Sequence, residues 1–199
     1  MSHANRCWIA LGLVLATAAC TSNKSNDSAA KANLSKPCTA LRADDAKSLL
    51  HAGSVRKVSF KTLLEEELSQ PTETTTADAA GQIAAADAST CSYRTGGASS
   101  PTVSYQYGFV VPSFFPTVDK FIEANKHTGD EEVTGVGRAA VYGRVPDSHG
   151  TKFVVLLDGG NNFVIKTENA QPSRAAVASL AKAIIGRLPR LTTPTYKVP

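Results

Sequence analysis

Long apolar runs are nearly missing from this chain of 199 residues: the one extended run, Trp8 to Ala16, lies at the N-terminus. A polytopic membrane protein needs repeated spans of about 20 apolar residues, so that class is excluded. Cysteines number only four, too few for a dense disulfide scaffold. Aromatic residues make up 7% and charged residues 19%, values foreign to coiled coils and to wholly disordered chains. The apolar fraction of 42% includes 29 alanines, which bury little surface. The signatures of common chemistries are missing too: there is no Gly-x-Ser-x-Gly elbow, no phosphate loop and no dinucleotide fingerprint. Gly135-Val136-Gly137 lacks the third glycine and precedes a strand pattern, so a sharp turn accounts for it.

What is present begins with an export signal over residues 1–19. Arg6 is its only formal charge, and an apolar core follows from Trp8 to Ala16. That core is too short to cross a bilayer, which fits a cleaved signal. Leu15-Ala16-Thr17-Ala18-Ala19-Cys20 places small residues directly before a cysteine. This resembles the lipobox of bacterial lipoproteins, in which the thiol is acylated and the chain is cut before it. The lipobox usually has Leu three residues before the cysteine, where this chain has Thr17. The resemblance implies lipidation at Cys20 and a membrane partner reached through that anchor. Thr21 is not acidic, which implies the outer membrane in a host with two membranes. Residues 20–37 then form the anchor and a polar tether, with Leu34 its single large aliphatic. Some 16 such residues reach about 20–25 Å.

Cys7 leaves with the signal and Cys20 is assigned to lipid, so Cys38 and Cys91 remain. In an exported domain oxidation is the default, and neither cysteine has a second ligand at zinc spacing, so a disulfide is expected.

Residues 38–188 read as one domain. Asp44 to Leu50 has helical spacing, with Gly53 as a plausible stop, and residues 55–64 read as a strand of imperfect period. Residues 65–89 hold six acids and no base, and 69–89 read mainly as a long low-complexity loop. Cys91 to Arg94 is a short strand, and residues 102–110 alternate, with Val103, Tyr105, Tyr107 and Phe109 on one face. Residues 113–126 switch to helical spacing, with Ser113 as a cap. Ala139–Val145, Lys152–Leu157 and Asn162–Thr167 read as a three-stranded meander joined by Gly- and Asn-bearing turns. A helix over 173–188 closes the domain, and residues 189–199, with three prolines, form a tail. The order predicts an α+β fold: one antiparallel β-sheet with helices packed mainly on one face.

This layout resembles a broad group of small bacterial cell-envelope lipoproteins of unknown function. The resemblance rests on Cys38-Thr39-Ala40-Leu41 before a short helix, on Cys91-Ser92-Tyr93, on the glycine pair before Ala139-Ala140-Val141-Tyr142, and on an Ala-rich last helix after Phe163-Val164-Ile165. Some members of that group resemble the fold of the photosystem accessory protein PsbP. The resemblance brings no catalytic residue and no cofactor.

The residues themselves bring none either. His127, Asp130, Glu131 and Glu132 cluster in sequence, but not at the spacing of a metal helix or a calcium loop, so no metal is expected. Asp147-Ser148-His149 are adjacent and cannot make a triad. The formal net charge is +4, and +3 without Arg6; from Ala170 onward five bases meet no acid. Such a helix face is either simply solvated or touches anionic lipid, glycan or an acidic partner. Outside the cell nucleic acid is not an expected partner. Val154, Leu156 and Val164 fall on the face that a one-sided sheet gives to water, and form a candidate binding surface unless the chain covers them. The expected function is a non-catalytic binding or accessory module for an envelope protein, a glycan or a small apolar ligand. The alternatives are a hydrolase or metal-dependent enzyme with an unrecognised site, or an assembly lipoprotein with a purely structural role.

Overall fold

Alternating side chains at 102–109 and 161–168 build two long strands that meet along their whole length. Strand β3 (Thr102–Phe109) pairs antiparallel with β7 (Asn161–Glu168), from Thr102 opposite Glu168 to Phe109 opposite Asn161. This computed structural model describes residues 36–67, 88–109, 117–158 and 161–189. The expected signal over 1–19, Cys20 and nearly all of the expected tether lie outside these residues, as do most of the expected loop over 69–89 and the expected tail after residue 189.

On one side of the β3–β7 pair come β2 (Thr90–Arg94) and β1 (Arg56–Val58). On the other come β6 (Gly150–Leu156), β5 (Ala139–Val145) and the two-residue β4 (Glu131–Glu132). The order is β1-β2-β3-β7-β6-β5-β4, antiparallel throughout. The expected α+β class with a single antiparallel sheet is therefore what the chain adopts, and the meander is its right half. Its first turn is tight. His149 takes a left-handed φ of 46°, and a Cβ on Gly150 would collide with the Thr167 carbonyl oxygen, so no larger residue fits there. Gly137, at φ 60°, likewise lies against the Leu156 carbonyl.

Helices α1 (Ala43–Leu50) and α4 (Arg174–Arg187) pack on one sheet face. Ala46 and Leu49 of α1 and Val177, Leu180, Ala181 and Ile184 of α4 close over Tyr105, Phe153, Val155, Phe163 and Ile165. Ser173 caps α4 by accepting from the Ala176 N–H, as its sequence suggests. Helix α1 ends at His51, held left-handed at φ 50°, so Gly53 is not its stop.

Residues 55–64 depart from the expected strand. Only Arg56–Val58 are extended; Phe60–Glu67 form helix α2. Ser59 causes the switch: its Oγ accepts from the Thr62 N–H at 3.0 Å, an N-cap that starts a helix where Phe60, Leu63 and Leu64 already stand at helical spacing. Helix α3 (Val118–Asn125) is capped by Thr117, whose Oγ1 accepts from the Lys120 N–H. Ser113, the expected cap, lies outside the described residues.

Candidate functional site

The Cys38–Cys91 disulfide is formed, with Cα atoms 5.0 Å apart. It ties the segment before α1 to β2. Cys20 lies outside the described residues.

The surface expected at Val154, Leu156 and Val164 is not an exposed patch. Val154 and Leu156 are 5% and 3% exposed, and with Ala139 they bury Phe121 of α3 beneath the sheet. The physical reason is that the sheet is not one-sided: Val118, Phe121 and Ile122, spaced i, i+3 and i+4 on α3, require an apolar partner, and β5 and β6 supply it. Val164 is only half-buried, at the rim of this second core.

Beyond Val164 the same face changes character. Thr90, Ser92 and Arg94 of β2 lie opposite Gln106, Ser104 and Thr102 of β3, making a polar block where α3 does not reach. Thr90, Ser92, Arg94 and Thr102 are buried. Most of these groups satisfy one another: Ser92 and Ser104 share a 2.8 Å hydrogen bond, and the Arg94 Nε donates to Thr102 Oγ1 at 3.1 Å. One does not. The Thr90 hydroxyl is buried and has no hydrogen-bond partner. A buried polar group without a partner is uncommon and calls for an explanation.

A cleft of about 130 Å³ lies beside Thr90. Helix α2 forms one wall with Phe60 and Leu63, and β7 completes it with Val164. The floor is polar, with Thr90 from β2 and Ser104 and Gln106 from β3. Lys166 and Glu168 line the remaining side and form a 2.9 Å ion pair with each other. Strand register brings this set together: Ser104 lies opposite Lys166, and Gln106 opposite both Thr90 and Val164.

The other candidates are absorbed by the fold. Asp130 accepts from the His127 N–H, Glu132 pairs with Lys126, and Glu131 pairs with Arg174. No group of three or more His, Cys, Asp or Glu that could hold a metal occurs among the described residues. The basic face of α4 is largely neutralised, since Arg174 pairs with Glu131 and Arg187 with Asp45. On the opposite sheet face Tyr105 and Tyr107 have phenols pushed upward by burial, Tyr107 to about 12; Tyr107 donates to Asn161 Oδ1 at 2.8 Å. These tyrosines belong to the core side, as their alternation suggests.

No family profile, curated protein or solved structure matches this chain. The cleft was not legible in the sequence. Ser104 and Gln106 were recognisable as the polar alternates of a half-buried strand, but nothing in the sequence says that β2 and β7 flank β3.

Proposed function

We propose that this chain is a lipid-anchored module of the bacterial cell envelope that binds a small ligand in the cleft between α2 and the sheet, without transforming it. The observation that carries this reading is the cleft itself: an apolar wall of Phe60, Leu63 and Val164 facing a polar floor of Thr90, Ser104 and Gln106. Its lining speaks for binding rather than catalysis. A hydroxyl nucleophile needs a base within hydrogen-bond reach. Ser104 is paired to Ser92, Thr90 is unpartnered, and the one carboxylate among the described residues of the cleft, Glu168, is paired to Lys166. The small residues before Cys20 and the polar tether support the anchor.

Thermal melts of the full chain test the binding, using a panel of neutral sugars, amino acids, short peptides and short fatty acids. At least one class raises the melting temperature of the wild type and not of Leu63→Trp, which fills the cleft. A panel without effect, or an equal response of Leu63→Trp, contradicts the reading. Palmitate labelling tests the anchor: the wild type is labelled and sediments with membranes, and Cys20→Ala does neither. An unlabelled wild type removes the anchor from the proposal.

A further inference from the structure

No further inference is drawn: the strongest candidate, the cleft between α2 and the β2–β3–β7 part of the sheet, belongs to the site already described, and its described lining singles out no class of ligand.

Discussion

Arg187 holds Asp45 with two hydrogen bonds, Nη1 to Oδ2 at 2.5 Å and Nη2 to Oδ1 at 2.8 Å, between residues 142 apart in the chain. The same guanidinium donates to the Ala40 carbonyl at 2.8 Å, and Asp45 Oδ2 accepts from the Arg42 N–H that opens α1. One fork thus fastens the last turn of α4 to the first turn of α1. Both side chains are about one-sixth exposed, at 15% and 16%. Arg187→Ala should therefore cost about 2–3 kcal/mol, the range for hydrogen bonds to charged partners left unmade. Arg187→Lys keeps the charge without the fork and should recover only part of it. Urea titration of the three proteins checks this; equal midpoints would show that the pair contributes nothing.

The Cys38–Cys91 bridge closes a long loop, at a sequence separation of 53. Chain-entropy estimates give about 4 kcal/mol for such a loop. The double variant Cys38→Ala/Cys91→Ala should melt well below the wild type. It should keep its far-ultraviolet dichroism at room temperature, since the β3–β7–β6–β5 ladder does not depend on the bridge. A variant unfolded at every temperature would show that the bridge decides folding.

Phe121 plugs the reverse face of the sheet. Phe121→Ala should cost about 3–5 kcal/mol, the usual loss for a fully buried aromatic. It should also uncover Val154 and Leu156 and so increase binding of a hydrophobic dye. Chemical denaturation and dye fluorescence read both effects. An unchanged midpoint would mean that α3 does not cover that face.

Alkaline pH should destabilise the fold through its tyrosines. Burial raises the Tyr107 phenol from 10.0 to about 12 and raises Tyr105 further. A raised phenol means that the folded state holds its proton more tightly than the unfolded chain. The associated stability is complete below pH 10.0, falls as pH rises through about 12, and is then lost. Tyr107→Phe should flatten this fall, as denaturant midpoints at several pH values would show. A wild-type midpoint constant from pH 9 to 12 would contradict it.

Periodicity made much of this fold legible. The alternation of Tyr105 and Tyr107, the turns at His149-Gly150, and the i, i+3, i+4 apolar set of α4 each describe a local event, and each stands where the residues placed it. Two things were hidden. One is the Ser59 cap, which ends a strand in favour of a helix through a single hydroxyl, below the reach of an apolar period. The other is non-local pairing. Val154 and Leu156 look exposed on a sheet taken alone and become core because Phe121, far back in the chain, returns to cover them. The cleft is non-local in the same way, since α2, β2, β3 and β7 each give only one to three of its side chains.

The central claim is that a ligand occupies this cleft, and a reporter inside it tests that most directly. Gln106 is exposed at the cleft and Cys38 and Cys91 are bonded to each other, so Gln106→Cys in a Cys7→Ala/Cys20→Ala background carries the one reactive thiol. Its modification by a water-soluble maleimide is timed with and without whichever class raises the melting temperature, and against Lys182→Cys on α4 as a control. The account predicts that ligand slows modification at position 106 several-fold and leaves position 182 unaffected. Equal rates at position 106 with and without ligand would contradict it.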